Sequence, residues 1–533
     1  MAVLRSNITT SSQEFVDNKN AMLKKLAEVQ EAQNLALQGG GPDYILRHHK
    51  RGKLLARERI ELLVDPGSPF LELSPLAAWG TNFNVGASVI TGIGVIHGVE
   101  CLISANDPTV KGGSTNPFTM RKTARAADIA MQNQLPTVSL VESGGADLPT
   151  QSEIFIPGGR GFRDLTQRSK AKLPTIAIVF GNSTAGGAYI PGMSDYIVMI
   201  KQRSKVFLGG PPLVKMATGE ESTDEELGGA EMHARISGLA DFLAQDEKEA
   251  ILIGRDIVKR LNWRKKGRGP KTVSFKEPRY DPEELLGIPS ADLRVPFDPR
   301  EIIARIADDS DFDEFKSQYG TSLVTGWCEI HGYPVGILAN HRGVLFSEEA
   351  NKATQFIQLA NQIDTPLIFL QNTTGYIVGK DFEQRGIIKD GAKMINAVSN
   401  SSVPHLTINI GASYGAGNYG MCGRAYNPRF LFAWPNAKSA VMGPQQLAGV
   451  LSIVARQSAK DRNLPFDEKK DEQMRKAIED QIEKESDAKF LSGLLYDDGI
   501  IDPRDTRTVL GICLSVINNT TYEGATGYGV FRM

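Results

Sequence analysis

The chain has 533 residues, yet it contains only four cysteines and no long apolar run. The cysteines are widely separated and form no C-x-x-C pair, which argues against a zinc ribbon or a disulfide framework. No apolar stretch approaches the roughly 18 residues that suggest a membrane-spanning helix. The formal net charge of -2 offers no basic field for nucleic acid. Because the N-terminus also lacks the apolar core of a secretory signal, a cytoplasmic protein without membrane or nucleic-acid partners is expected.

Several catalytic motifs are missing as well. There is no G-x-x-x-x-G-K-[ST] phosphate loop, no G-x-G-x-x-G turn with a following acidic residue, and no G-x-S-x-G nucleophile elbow. The seven histidines form no recognisable metal-binding cluster, so no metal is predicted. These absences exclude most nucleotide-dependent and triad-based chemistry.

What the sequence does contain is a repeat of itself. The pattern T-G-x-x-x-I-H-G occurs at Thr91 and again at Thr325, a shift of 234 residues. A second set of positions recurs with a shift of 230, and includes the pairs Gly145 and Gly375, Gly187 and Gly417, and Tyr189 and Tyr419. A third block, 60–72, returns at 302–314. Three blocks in one order predict two copies of one domain, and therefore two similar half-sites.

The rhythm of the sequence predicts an α/β fold. Polar residues with apolar positions at helical spacing predict a helix over 11–38, and a second helix is expected over 52–63. Short apolar runs at 137–141, 176–180, 367–370 and 406–410 are typical of buried strands that lead into turns and helices. This alternation indicates helices that cover a largely parallel sheet. A charge-dense helix is expected over 467–489.

The chemistry is predicted at two glycine-rich turns, 181–189 and 411–419, which the shift of 230 aligns. Small residues between a strand and a helix let backbone N–H groups approach a ligand and direct the positive end of the helix dipole towards it. Such a turn is a candidate oxyanion hole. Tight helix–sheet packing is the alternative for one such turn, but its repetition favours function.

The chain resembles the carboxyltransferase (β) subunits of biotin-dependent acyl-CoA carboxylases, especially that of 3-methylcrotonyl-CoA carboxylase. The resemblance covers nearly the whole length. The motifs that carry it are residues 51–59, 65–73, 110–113, 143–146, 185–189, 210–215, 226–230, 415–424, 497–505 and 531–533. It implies a ligase that forms a C–C bond, built from tandem duplicated crotonase-like (ββα superhelix) domains.

The resemblance also suggests domain bounds. These are an N-terminal helical segment at 1–64, an acyl-CoA domain at 65–262, a basic, turn-rich linker at 263–294 and a biotin domain at 295–533.

Site residues follow from the resemblance position by position. It places an oxyanion hole for the thioester enolate at Gly186 and Gly187, and one for the ureido oxygen of biotin at Ala416 and Gly417. The further acyl-CoA contacts that it implies are Gly144, Gly145, Ala146, Ala188, Tyr189 and Lys111. The further biotin contacts are Tyr414, Gly415, Asn418, Thr374 and Gly375. Basic residues that could meet CoA phosphates, although surface charge is their commoner role, are Arg51, Lys53, Lys111, Arg121 and Lys122.

Biotin itself is expected on another chain. Carriers of this cofactor place the modified lysine between two methionines, whereas Lys215 and Lys393 here precede a methionine without following one. The resemblance implies a separate α subunit with biotin carboxylase and carrier functions. It further implies a hexamer of this chain that binds six α subunits.

The substrate is the least determined part of the prediction. The resemblance implies carboxylation of the γ carbon of 3-methylcrotonyl-CoA. Gly192 and Tyr196 depart from the methylcrotonyl-specific pattern and suggest a larger acyl pocket, which keeps geranyl-CoA open, and propionyl-CoA is a further alternative. A crotonase-type hydratase or a CoA-thioester decarboxylase is more remote, because a hydratase needs one domain with paired carboxylates. A non-enzymatic scaffold is a third possibility that two preserved turns disfavour.

Overall fold

The computed structural model describes residues 2–290 and 292–533. The chain opens with a short strand and three helices: β1 (Ala2–Val3), α1 (Gln13–Leu37), α2 (Pro42–Lys50) and α3 (Ala56–Leu63). Ser12 caps α1, because its Oγ accepts a hydrogen bond from the N–H of Phe15 at 3.2 Å. The helix predicted over 11–38 is thereby confirmed, and it buries Phe15, Met22 and Val29 along one face.

The first half contains an eight-stranded sheet. Its strands are β2 (Leu71–Leu73), β3 (Val89–Ile96), β4 (Val99–Asn106), β5 (Thr137–Ser143), β6 (Thr175–Thr184), β7 (Tyr196–Ile200), β8 (Lys205–Phe207) and β9 (Phe242–Ala244). Their order is β2-β3-β4-β5-β6-β7-β9, and β8 pairs with the end of β6. The helices are α4 (Pro117–Gln132), α5 (Gln151–Lys170), α6 (Tyr189–Gly192), α7 (Pro211–Thr218), α8 (Asp224–Gly228), α9 (Ala230–Met232) and α10 (Glu247–Arg260).

The second half repeats this plan. Its strands are β10 (Asp311–Glu314), β11 (Leu323–Ile330), β12 (Tyr333–Asn340), β13 (Val344–Leu345), β14 (Leu367–Thr373), β15 (Gly375–Tyr376), β16 (His405–Tyr414), β17 (Phe430–Ala433) and β18 (Lys438–Ala440). The main sheet has the order β1-β10-β11-β12-β14-β16-β17, with β18 on the end of β16, while β13 and β15 form a separate pair. The helices are α11 (Pro299–Ile306), α12 (Ser347–Gln362), α13 (Lys380–Arg385), α14 (Ile387–Asn400), α15 (Gly415–Gly420), α16 (Pro444–Asp461), α17 (Glu468–Glu485), α18 (Ala488–Gly493) and α19 (Thr506–Ile517).

The two sheets share one plan, although among the described residues β1 has no counterpart strand in the first sheet and β9 has none in the second. In each, an antiparallel run leads into parallel strands: β2-β3-β4 in the first sheet and β1-β10-β11-β12 in the second. The register between the two central parallel strands shifts just before the glycine turns. The hairpin that carries the T-G-x-x-x-I-H-G pattern is also held alike, because the carboxylates of Asp65 and Asp308 accept the N–H groups of His97 and His331. The sequence repeat is therefore a structural repeat, and the predicted α/β class with largely parallel sheets is confirmed.

Buried contacts join the halves. The bidentate ion pair of Arg125 on α4 with Asp498 spans them, with N–O distances of 2.8 Å. Leu285 and Leu286 lie fully inside the larger apolar cluster, although they belong to the segment predicted as a linker. The parallel strands of both sheets thus end at fixed positions, which sets the geometry of the turns that follow them. Among the residues described, no helix has both the length and the apolar character to cross a membrane.

Candidate functional site

The first glycine turn follows β6. Its residues form a single 3-10 turn, Ala185–Ala188, before the short helix α6. Ala185 takes a left-handed conformation with φ of 52°, which bends the chain sharply at the end of the strand. Gly186 is exposed and Gly187 is half-buried. Ser183 holds the turn from below, because its Oγ donates to the carbonyl oxygen of Gly187 at 2.9 Å.

The second turn follows β16 in the same way. Gly415 is the counterpart of Ala185 and has a φ of 55°. Ala416 is exposed, whereas Gly417 is buried. A Cβ atom on Gly417 would lie 2.5 Å from Oγ1 of Thr373 and 3.0 Å from the Cα of Gly375. Glycine is therefore required at 417 by the close approach of the neighbouring strand end.

The helices after the turns are short. α15 has six residues and α6 has four. Helices of this length contribute little macrodipole, so the expected dipole argument is weak here. The first N–H groups of any helix lack an intrahelical acceptor, however, and those of Gly186, Gly187, Ala416 and Gly417 belong to such first turns. Local backbone donors remain the feature on which an oxyanion site can rest.

A companion loop lies beside each turn. In the first half it follows β5, and the N–H of Gly145 donates to Ser143 Oγ at 3.2 Å. In the second half it follows β14, and the N–H of Gly375 donates to Thr373 Oγ1 at the same distance. Gly145 has a φ of 93°, and a Cβ atom there would lie 3.3 Å from the carbonyl oxygen of Thr184. The predicted residues Gly144, Gly145 and Ala146 thus run along the first turn, and Thr374 and Gly375 along the second.

The remaining residues of the acyl-CoA prediction lie around the first turn. Ala188 is buried within it, and Tyr189 is exposed with its ring edge against Phe162, at a centroid distance of 6.1 Å. Lys111 lies on the loop that packs beside 143–146. Its ammonium group is 3.6 Å from a carboxylate oxygen of Asp147, and its side chain is mostly exposed.

On the biotin side, two predicted contacts point into the protein. Tyr414 is buried, and burial raises its pKa to about 12, so its hydroxyl is neutral at physiological pH. The amide of Asn418 donates through Nδ2 to Ser413 Oγ at 2.7 Å. Both residues therefore brace the turn, while Ala416 forms its exposed part.

Two of the basic residues considered for CoA phosphates are otherwise engaged. Lys122 is only 2% exposed, and its ammonium donates to the carbonyl oxygens of Gly86 and Val89 at 3.2 and 2.8 Å. Lys53 is partly buried, and its ammonium forms an ion pair with Glu142. The buried ammonium of Lys122 is not available to a phosphate, so the prediction is wrong for this residue. Lys53 is already paired with a carboxylate, whereas Arg51 and Arg121 are exposed.

The sequence analysis did not predict the buried charge cluster that lies beneath the first turn. Arg59 is fully buried, bonds Glu247 at 3.0 Å and Glu142 at 2.8 Å, and stacks on Phe180 at 4.2 Å. Burial raises the pKa of Glu142, but the charges of Arg59 and Lys53 outweigh it and leave that pKa below its ordinary value. Glu142 directly precedes the loop 143–146. Arg59 stands in the motif 51–59, which was the one available signal.

Fold and site together define a class of protein: an α/β chain with a duplicated crotonase-like domain, in which each copy presents backbone donors at a turn. Residues 47–526 match the family described as "Carboxyl transferase domain". The chain belongs to this family.

Individual relatives are similar to this chain over its full length. A Mycobacterium tuberculosis protein described as "Probable biotin-dependent acyl-coenzyme A carboxylase beta2 subunit" is 68% identical, with 100% of both chains covered. The mitochondrial methylcrotonoyl-CoA carboxylase beta chain of Dictyostelium discoideum is 49% identical, over 100% of this chain and 91% of its own. This chain superposes on the crystal structure of the geranyl-CoA carboxylase beta subunit of P. aeruginosa with a TM-score of 0.91. The two are 43% identical, and the match covers 99% of each chain. This likeness confirms the crotonase-like fold class.

Proposed function

We propose that this chain is the carboxyltransferase subunit of a biotin-dependent acyl-CoA carboxylase, and that it transfers a carboxyl group to the γ carbon of 3-methylcrotonyl-CoA. The observation that carries the proposal is the pair of equivalent turns, Ala185–Ala188 and Gly415–Gly420, each on the end of a central parallel strand. Full-length similarity to methylcrotonoyl-CoA carboxylase beta chains supports the choice of substrate.

In this proposal the first turn binds the acyl thioester. The N–H groups of Gly186 and Gly187 donate to the thioester oxygen as it becomes an enolate. Gly144, Gly145, Ala146, Ala188 and Tyr189 line the thioester, and the exposed Lys111 meets the polar part of CoA. A turn without bulky side chains suits this task, because only small residues leave the backbone donors open to a ligand.

The second turn holds the ureido group of biotin, which a partner chain delivers. The residues fit a small planar group, since Ala416 is exposed and the buried Gly417 has no room for a side-chain atom. Ala416 and Gly417 would donate to the ureido oxygen with Gly415, Thr374 and Gly375 beside it, while Tyr414 and Asn418 brace the turn from inside the protein. Bound biotin supplies the activated carboxyl group. The chain's own part is to orient both ligands and to exclude water.

The partner is an α subunit with biotin carboxylase and biotin-carrier functions, and the chain itself forms a hexamer that binds six α subunits. Exposed apolar side chains beside both turns support subunit contacts there. Leu208 follows β8, and Val441 follows its counterpart β18, and both are more than half exposed.

Mass measurement of the chain, alone and with the partner, tests this assembly. A streptavidin blot of the purified chain should stay blank, and a signal would contradict the separate carrier.

An activity panel tests the reaction. The holoenzyme, assembled with its biotin-bearing partner, ATP and bicarbonate, should carboxylate 3-methylcrotonyl-CoA faster than geranyl-CoA or propionyl-CoA. Geranyl-CoA is the second candidate, because Gly192 faces open space at the end of α6. Preference for geranyl-CoA would move the assignment to that substrate. Hydration of an enoyl-CoA without biotin would overturn the carboxyltransferase proposal altogether.

A further inference from the structure

The second turn is tied to its sheet by a chain of side-chain hydrogen bonds. Asn418 Nδ2 donates to Ser413 Oγ, Ser413 Oγ donates to Gln371 Oε1, and Gln371 Nε2 donates to the carbonyl oxygen of Met421. The three distances are 2.7, 2.7 and 2.6 Å. We call Gln371, Ser413 and Asn418 the amide relay.

The amide relay joins every element that forms the turn. Gln371 lies on β14, Ser413 on β16 and Asn418 on α15, while Met421 immediately follows that helix. Gln371 and Ser413 are each only 1% exposed. Polar groups buried to this degree contribute strongly when all of them are bonded, and are costly when one is left without its partner. The relay therefore resists any movement of α15 relative to the sheet.

The first half lacks this arrangement. At the positions that the shift of 230 aligns, it carries Val141 in place of Gln371 and Ala188 in place of Asn418. Ser183 is the counterpart of Ser413, but its hydroxyl bonds Gly187 within the turn itself. Thus one fold holds its two turns differently, the second by a relay that crosses the sheet and the first by a local bond.

We propose that the amide relay consists of positioning residues that fix the backbone donors of Ala416 and Gly417 for the ligand of the second turn. The inference rests on the proposed function for the identity of that ligand. A donor held in place before binding need not be ordered by the ligand, so the relay lowers the KM for biotin. The acyl-CoA turn does not depend on it.

The test uses the purified full-length chain and the reverse reaction, with 3-methylglutaconyl-CoA as carboxyl donor and free biotin as acceptor. Gln371→Met keeps the side-chain length and removes both hydrogen bonds. It should raise the KM for biotin by about five- to tenfold and leave the KM for the thioester unchanged. Asn418→Ala, which introduces the residue of the first half, should act in the same direction with a smaller effect. If Gln371→Met does not fold, Asn418→Ala alone carries the test.

Asn361→Ala is the matched control. Asn361 is also a buried amide, and it lies near the start of β16, at the end of the strand away from the turn. Its hydrogen-bond partners are Ile357, Ser401, Ser402 and Ala525. This variant should lower the Tm without changing either KM. A Gln371→Met variant that lowers the Tm in the same way and changes neither KM, or both equally, overturns the relay as a positioning device.

The remaining outcomes separate the two proposals. A rise in the KM for the thioester alone would support the relay but reverse the ligands assigned to the two turns. If the wild-type chain transfers no carboxyl group, the proposed function fails, and amide hydrogen exchange then tests the relay without any substrate. Exchange at Met421, whose N–H donates to the carbonyl oxygen of Gly417 at 3.0 Å, should be faster in Gln371→Met than in the wild type, and equal rates would overturn the relay.

Discussion

Lys122 and Lys352 hold equivalent buried positions in the two halves, one on α4 and the other on α12. The ammonium of each donates at 2.8 Å to the carbonyl oxygen of the residue that begins the neighbouring strand, Val89 of β3 and Leu323 of β11. Each also reaches a glycine carbonyl one turn earlier. The repeat thus includes a pair of cations that fasten a helix to the start of a strand.

The first prediction concerns pH. Burial lowers the pKa of Lys122 to about 8, below the ordinary 10.5. Between these two values the unfolded chain binds more protons than the folded one, so the free energy of unfolding contributed by Lys122 rises with pH. We expect the wild type to gain about 2 kcal/mol relative to Lys122→Met between pH 7 and pH 9.5. Urea unfolding of both proteins at the two pH values measures this gain, and parallel pH profiles would contradict the prediction.

The second prediction separates the two glycines of the turns. At Gly187 the nearest atom to an added Cβ is Ser183 Oγ at 3.8 Å, so Gly187→Ala and Gly187→Val should fold with nearly unchanged Tm. Gly187→Val should still lose roughly a hundredfold in carboxyl transfer, because its side chain obstructs the backbone donors. Gly417→Ala should lose about 1–3 kcal/mol of stability as well, since its Cβ meets the strand end at 2.5 Å. Thermal unfolding and turnover of the three variants test the difference, and equal Tm losses at both sites would sink it.

The third prediction concerns the contact between the halves. Burial raises the pKa of Asp498, but the ion pairs with Arg125 and Arg424 outweigh it and hold that pKa well below its usual range. Asp498→Asn leaves two partly buried guanidinium groups without their carboxylate and should cost about 3 kcal/mol. The free energy of unfolding by which the wild type exceeds Asp498→Asn should have its full value above about pH 4 and decline as the pH falls further.

Asp292→Asn is the control for this prediction. Its carboxylate pairs with Arg294 on the surface, where such ion pairs contribute little. Equilibrium unfolding of both variants should therefore show a large loss for Asp498→Asn only. Losses of similar size would mean that the buried ion pair does not hold the halves together.

The fourth prediction tests the acyl pocket. No atom lies within 4 Å of a Cβ atom added to Gly192, so Gly192→Val should fold normally. If this space receives the acyl chain, the added side chain should lower kcat/KM for geranyl-CoA by at least about fivefold relative to that for 3-methylcrotonyl-CoA. Steady-state kinetics with both thioesters give the ratio, and an unchanged ratio would place the acyl chain elsewhere.

Local patterns were sufficient to predict four central strands and the two glycine-rich turns. Apolar runs followed by glycines marked β5, β6, β14 and β16, and their repetition marked Gly187 and Gly417 as equivalent. The residues at which helices begin were harder to predict. The helix expected over 52–63 begins only at Ala56, because Gly52 adopts a φ of 66° and Glu58 accepts the N–H of Leu55 at 2.6 Å.

Contacts between residues distant in sequence could not be predicted. Lys122 looks like a surface cation until α4 is placed over the start of β3, where its ammonium finds backbone carbonyls instead of solvent. The amide relay is hidden for the same reason, since Gln371 and Ser413 meet only once β14 and β16 pair. The sequence repeat did align Gln371 with Val141 and Lys122 with Lys352, but identity of position does not reveal a bonding partner.

The pairing of β1 with β10 also constrains how the chain can fold as it is made. Ala2 and Val3 pair with Phe312 and Asp311, and Ser6 bonds Glu301. Residues 2–3 must therefore wait, unpaired, until residues 311–312 have been synthesised. The first sheet has all its strands by then, whereas the second takes its edge strand, β1, from residues that precede the first sheet. This strand is therefore made before the first sheet but reaches its native place after it.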